Sequence, residues 1–310
     1  MGYYILTYLC LAVFITAVGR LMYRHLTIPV HLRWEIYPVQ GEPADKVSYG
    51  GSYMEEMNWW EKKRKSSRVN EIFYMAPEIL LMRGLWKENK RLWQMSFPLH
   101  LGLYLMLATF LLLSISSVST LCGFAEDGGI MIVNGLSVAT GWIGLIAGVI
   151  GSTGMLYKRL ADRELRDYST FADYFNIVFI LIFFLCAFVA ASTVDPLFNA
   201  SRDYVLGLFS AGRAVPAYVQ GRSLPGALTI ILASLLTAYI PLTHLSHMFM
   251  KFFLYHRVKW DDTPNRPGSP IETAVKKNLE YRPTWKARHV DTDGKLSWRE
   301  IASSAPKEMK

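Results

Sequence analysis

Five apolar runs interrupt the chain, at about 3–23, 97–118, 130–156, 172–194 and 226–255. A helix needs roughly 20 such residues to cross the hydrocarbon core of a bilayer. The first run lacks a basic leader and an A-x-A-like cleavage site, so it reads as a retained span rather than a signal peptide. The last is the longest, with enough length to tilt or to extend past the membrane. The pattern predicts an all-α membrane protein, a five-transmembrane-helix bundle. It divides the chain into a first transmembrane helix (1–23), a cytoplasmic segment (24–96), a four-helix membrane part (97–255) and a cytoplasmic tail (256–310). Within 24–96, EIFYMAPEILLMRGLW predicts an interfacial helix presenting Ile72, Ile79, Leu80 and Trp86 to lipid or to a partner. No internal repeat or broken helix is visible, which argues against a proton-coupled transporter.

Charge gives the expected orientation. The stretch from Arg24 to Arg91 holds twelve Lys and Arg, including Lys62, Lys63, Arg64 and Lys65. The 119–129 loop holds none, the 157–171 loop holds Lys158, Arg159, Arg163 and Arg166, and the tail holds a dozen. The positive-inside rule therefore expects the N-terminus outside and the C-terminus cytoplasmic. Arg202, Arg213 and Arg222 in the 195–225 loop run against this, as a loop carried across by its hydrophobic neighbours would. The net charge of +8 thus marks cytoplasmic loops, not a nucleic-acid surface. At 52% hydrophobic and 19% charged, the composition excludes a soluble single-core domain and a disordered chain. Cys10, Cys122 and Cys186 lie in or beside apolar runs with no CxxC spacing. They provide neither a disulfide framework nor, by themselves, an iron–sulfur site.

Histidines inside a membrane are costly and point to function. His100 lies about one turn into the second run, and His244 and His247 lie in the final third of the fifth. On a continuous helix His247 is about 30 Å past Gly226. Antiparallel helices then bring His100 and His247 to the same depth near the cytoplasmic face. Three readings follow: bis-imidazole ligation of a b-type haem, a proton relay, or interhelical hydrogen bonding. His244 shares a helix face with His247, and only one of them can lie trans to His100. The other is placed to reach a propionate, a quinone oxygen or a backbone carbonyl. His25 and His256 read as interfacial anchors, and His31 and His289 carry no assigned chemistry. Glycines 135, 141, 144, 148, 151 and 154 predict close helix packing, with a haem-edge groove as the alternative.

The segments SFPLHLGLYL (96–105), FADYFNIVFILIFF (171–184), IPLTHLSHMFMKFFLYHRVKWDD (240–262), HLRWEIYPV (31–39) and YRPTWKARHV…WREIA (281–302) carry a resemblance. They resemble the gamma subunit of respiratory nitrate reductases. They are closer still to the membrane cytochrome b subunits of sulfate-reducer respiratory complexes with heterodisulfide-reductase-like partners. The resemblance implies haem b ligated by His100 and His247. The family's two remaining ligand positions fall on Phe110 and Thr229, so one haem is expected and a second, outer haem is not. It implies an electron-transfer subunit of a quinone-linked oxidoreductase complex in the bacterial cytoplasmic (inner) membrane. That subunit exchanges electrons between the quinone pool, with menaquinone as the candidate, and a cytoplasm-facing iron–sulfur subunit. Further cytochrome c or iron–sulfur subunits are candidate partners. A haem-free membrane anchor is the alternative.

Lys90, Arg91, Arg159 and Lys251 are candidates to pair with propionates, or are ordinary positive-inside residues. His244 and Asp173 are candidates for a quinone site. Trp59, Trp60, Trp86, Trp93, Trp285 and Trp298 mark the expected docking surface, with anionic lipid as the competing explanation for the basic run. Tyr3, Tyr4, Tyr104, Trp142, Tyr157 and Tyr174 read as aromatic belt or packing. HVDTDGKLSWRE (289–300) matches calcium-loop positions at Asp291, Asp293, Gly294 and Glu300. It begins with His289, and Pro283 disturbs the helix before it, so calcium is rejected.

Overall fold

The structure, a computed structural model, describes residues 2–27, 42, 44–63, 67–124, 128–211, 223–256, 263, 265–285 and 293–304. Its described residues contain helices and no strand. The helices are α1 (Gly2–Leu26), α2 (Ala44–Ser48), α3 (Arg68–Leu80), α4 (Arg83–Glu88), α5 (Lys90–Leu121), α6 (Gly128–Ala161), α7 (Arg163–Asp167), α8 (Phe171–Thr193), α9 (Asn199–Phe209), α10 (Leu224–Tyr239), α11 (His247–Leu254), α12 (Pro270–Leu279) and α13 (Trp298–Ser303). Five stretches are long and apolar enough to cross a membrane: α1, α5, α6, α8 and Leu224–Leu242. The chain forms two compact units, Met1–Gly19 with Phe73–Met248, and Arg20–Ile72 with Phe249–Lys310.

The first unit is built on the α5–α6 hairpin. A methyl group added at Gly102 would lie 2.6 Å from Gly148 Cα, so the two backbones touch. Gly151 sits on the backbone of Leu99, Gly154 on Met95 and Gly148 on the ring of Phe184, which is fully buried. The glycine series therefore serves close packing, since only residues without a Cβ allow this approach. Gly135 is the exception, with nothing near it.

Helix lengths differ across the unit. Gly102, Gly148 and Phe184 meet at one level, yet α8 stops at Thr193 while α5 continues to Leu121. The hairpin overshoots α8 by about 15 Å at 1.5 Å per residue. The segment expected to be a loop at 195–225 supplies what covers this overshoot. Asp195 accepts hydrogen bonds from Ala200 N (2.9 Å), Ser201 N (2.8 Å) and Ser201 Oγ (2.8 Å), which starts α9. Phe198, held at φ 55°, turns its ring against Gly141, and Val205 joins a core with Leu113, Phe184 and Leu236. Trp142 Nε1 donates to Pro196 O (3.0 Å) and Ser117 Oγ to Arg202 O (3.3 Å). Arg213 and Arg222 lie outside the described residues.

Two expectations are corrected. The fifth run is not one helix over 226–255. It breaks into α10, two 3₁₀ turns (Ile240–Leu242 and His244–Ser246) and α11. Pro241 has no N–H to continue the ladder, and Thr243 turns extended (φ −126°, ψ 178°) with its hydroxyl accepting from Leu245 N. The predicted helix at 71–86 is likewise two helices, α3 and α4, separated by Met82 at φ 50°. Ile72 and Leu80 are exposed, whereas Ile79 O accepts from Tyr104 Oη (2.8 Å) and Leu81 O from Trp93 Nε1 (2.7 Å). Pro77 stands inside α3.

The second unit is stitched by short caps and ion pairs. Ser52 Oγ (2.7 Å) and Tyr53 N (2.8 Å) both donate to Glu42 Oε1, and Arg266 Nη2 donates to Trp60 O (2.7 Å). Lys46 and Lys62 flank Glu56 and pull its carboxyl down to about 2. In the tail, Trp298 N donates to Tyr281 O (3.0 Å), Arg299 pairs with Glu280, and the rings of Trp285 and Trp298 meet at 5.6 Å. The rejected calcium loop has its acids otherwise engaged. Asp293 accepts from Lys295 N (3.0 Å), and Glu300 closes a capping box with Ser297. His289 and Asp291 lie outside the described residues, as do His31 and HLRWEIYPV.

Candidate functional site

His100 and His247 meet within the first unit. Their ring centroids are 6.2 Å apart, with ring planes inclined by 56°. His100 stands on α5, two residues past Pro98, and its Nδ1 is 2.8 Å from Ser96 O. His247 opens α11, and its Nδ1 is 2.9 Å from His244 O. A carbonyl can only accept, so both rings carry their proton on Nδ1 and their lone pair on Nε2. Metal-bound imidazoles typically show this arrangement, with the second nitrogen donating to a carbonyl that fixes tautomer and ring direction. Two imidazoles on opposite sides of one metal ion, each bonded at about 2 Å, place their centroids about 6 Å apart. The donor set and its spacing therefore fit an iron held between two imidazoles.

The surroundings of His100 come from two directions. Tyr104 lies one turn further along α5, its ring centroid 6.3 Å away. Ser96 Oγ lies 3.4 Å from His100 Nδ1 and reaches Met82 Sδ at the α3–α4 junction (3.8 Å). The segment predicted to be interfacial thus closes one flank of this histidine.

His244 does not join His100. Its Nε2 faces Asn176 Nδ2 (3.1 Å), and Asn176 Oδ1 receives the Tyr239 hydroxyl (2.6 Å). Asp173 Oδ1 lies 3.7 Å from His244 and 3.8 Å from Arg159. The other oxygen of Asp173 is taken by the N and Oγ1 of Thr170 as the cap of α8. Arg159 donates to Ser169 Oγ (2.6 Å), and its buried Nε has no hydrogen-bond partner among the described residues. The structure thus brings together His100 with His247, and His244 with Asp173, as two adjoining groups.

Sequence reasoning missed Asn176 and Tyr239. Asn176 is 3% exposed on a helix otherwise lined with Phe, Ile and Leu. A lone amide in such a run is itself a signal, because it must find partners where there is no water.

The other candidates fall elsewhere. Arg91 is exposed on the first turn of α5, about 13 Å along the axis from His100. Lys90 lies over the Trp86 ring at 5.3 Å. Lys251 stands one turn after His247 on α11. His25 packs on Phe253 (5.8 Å), and His256 has both nitrogens engaged, with Phe252 O (2.8 Å) and Glu71 Oε1 (2.6 Å). Of the two positions where the resemblance leaves no ligand, Phe110 is exposed and Thr229 bonds back to Pro225 O (2.8 Å). Compared with known protein families, curated proteins and solved structures, the chain matches none.

Proposed function

We propose that this chain is the haem b membrane subunit of a respiratory redox complex. It exchanges electrons between the quinone pool and an iron–sulfur subunit of the heterodisulfide-reductase-like kind. The complex sits in the bacterial cytoplasmic membrane, with the histidine end of the bundle and the tail facing the cytoplasm. The observation that carries this reading is the His100–His247 pair, with a 6.2 Å ring separation and each Nδ1 committed to a backbone carbonyl.

A haem bound there supplies one-electron exchange between ferrous and ferric iron. His100 and His247 would hold it through Nε2. Ser96 O and His244 O keep the rings oriented and raise their basicity as ligands. Arg91, about 13 Å along α5 from His100, is poorly placed for a propionate. Trp60, Trp86 and Trp285 are each more than 40% exposed, which supports the basic, Trp-rich segments as the docking surface for the partner.

A reduced-minus-oxidised absorbance spectrum of the purified protein tests the reading. A b-type alpha band is expected, lost in His100→Ala and in His247→Ala and kept in His256→Ala. A full band in the double variant His100→Ala/His247→Ala would overturn the ligand assignment. Fully loaded protein with no band at all would favour a haem-free anchor.

A further inference from the structure

The second half of α3 is apolar on the side that a water-facing helix keeps polar. Residues 73–81 read FYMAPEILL, with one acid, Glu78, whose carboxylate lies beside Gly84. Met75 is buried, and at 100° per residue it stands opposite Phe73 and Leu80, which share a face. That outer side is open: Phe73 is 72% exposed, Leu80 53% and Leu81 54%. A helix that is apolar all round belongs in a protein core or in hydrocarbon. The stretch is also fixed beside a candidate span. Ile79 O and Leu81 O accept from Tyr104 and Trp93 of α5, and Tyr104 lies inside the apolar run 97–118. Side-chain donors thus do for the end of α3 what water does for an ordinary helix end. Next in the chain come Arg83, Lys87, Lys90 and Arg91, all exposed, and among the described residues none of the four makes an ion pair.

We propose that residues 73–91 form an in-plane membrane anchor. The outer side of α3 seats among the acyl chains, and Arg83, Lys87, Lys90 and Arg91 hold the phosphates of anionic phospholipids. Two observations favour lipid over a protein partner. The α5 span beside the stretch bares Leu107 and Leu111 in the same way, so both surfaces call for one hydrocarbon surround. The four cations come where the chain enters that span, which is the depth of the headgroups, and an anionic bilayer surface attracts each of them. The anchor also reaches the histidine pair. Met82, at the α3–α4 junction, meets Ser96 Oγ, and Ser96 O engages His100 Nδ1. The anchor does not depend on a haem and stands without one.

The test uses the full chain in nanodiscs of equimolar phosphatidylcholine and phosphatidylglycerol. Hydroxyl-radical footprinting, normalised to the denatured chain, should modify Phe73, Leu80 and Leu81 as little as Leu107 and far less than the exposed Tyr49. A phosphatidylcholine with a diazirine in its acyl chain should label the peptide that holds residues 73–81. In detergent, native mass spectrometry should show phosphatidylglycerol bound more tightly than phosphatidylcholine. Arg83→Gln/Lys87→Gln should lower that affinity roughly threefold or more, and Arg163→Gln/Arg166→Gln on α7 should leave it nearly unchanged. Phe73 and Leu80 oxidised as readily as Tyr49, or no diazirine label at 73–81, would overturn the anchor and free that side for a protein partner. Unchanged affinity in Arg83→Gln/Lys87→Gln, or an equal loss in the α7 variant, would overturn the headgroup contact. A missing b-type band would sink the haem reading alone.

Discussion

At the α9 end of the bundle, Thr7 Oγ1 lies 2.7 Å from both Tyr204 Oη and Ser234 Oγ, and Tyr204 donates to Tyr3 O. At the other end stand His100, His244 and His247. Both ends carry polar side chains beside apolar helices, but they use them differently. A hydroxyl turns back onto its own helix, as Thr109 does to Leu105 O, Ser137 to Val133 O and Ser152 to Gly148 O. Other hydroxyl contacts join helices together, as between Thr109 and Thr140 and where Ser116 Oγ donates to Asn134 Oδ1. An imidazole has two nitrogens on opposite sides of a rigid ring. In His100 and His247 one reaches the local backbone and the other projects outward. Hydroxyls therefore build the bundle, whereas histidines present chemistry outside their own helix.

Five variants or conditions sharpen or break this contrast, and the largest effect is expected at the histidine end. His247→Ala should reduce bound haem per chain to near zero, read by extraction and pyridine haemochrome, while Tyr204→Phe should leave it intact. Equal losses in both would erase the difference between the ends. Next, Phe184→Ala should cost about 3–5 kcal/mol in unfolding free energy, since a fully buried ring leaves a cavity between α6 and α8. Gly148→Ala puts a methyl against that same ring and should cost about 1–3 kcal/mol, measured by thermal unfolding in detergent. At the α9 end, Thr7→Val should cost only about 0.6 kcal/mol per lost interhelical bond, with haem content unchanged.

The smallest effect lies in the second unit. Lys46 and Lys62 depress the Glu56 carboxyl to about 2, so its contribution is complete above the ordinary carboxylate value. It is lost as pH falls from about 4.5 toward 2. Hydrogen exchange in 44–62 should rise across that window in the native chain and show no such step in Glu56→Gln.

Much of the bundle was legible because length and hydropathy alone decide which segments can cross a bilayer. The meeting of His100 and His247 was legible as two histidines at the same end of antiparallel runs, although the continuous helix assumed for the fifth run is broken before His247. The break at Pro241 was not, since proline hardly alters the hydropathy of a run, and its effect is on the backbone ladder instead. The α9 helix was hidden for the opposite reason. Arg202 and Asp203 make NASRDYVLGLF look like a surface loop, and only the overshoot of α5 and α6 shows why it packs. The His244–Asn176–Tyr239 contacts join three separate elements, and no local pattern encodes them.

The glycine contacts between α5 and α6 join helices that are neighbours in sequence. Such a hairpin can close as soon as α6 leaves the ribosome, before α8 or α10 has been made. His100 is then already in position, whereas His247 arrives only after the last candidate span, Leu224–Leu242. The two halves of the site are therefore separated in time during biogenesis, and any group gripped between them is captured late, after insertion of the bundle is complete.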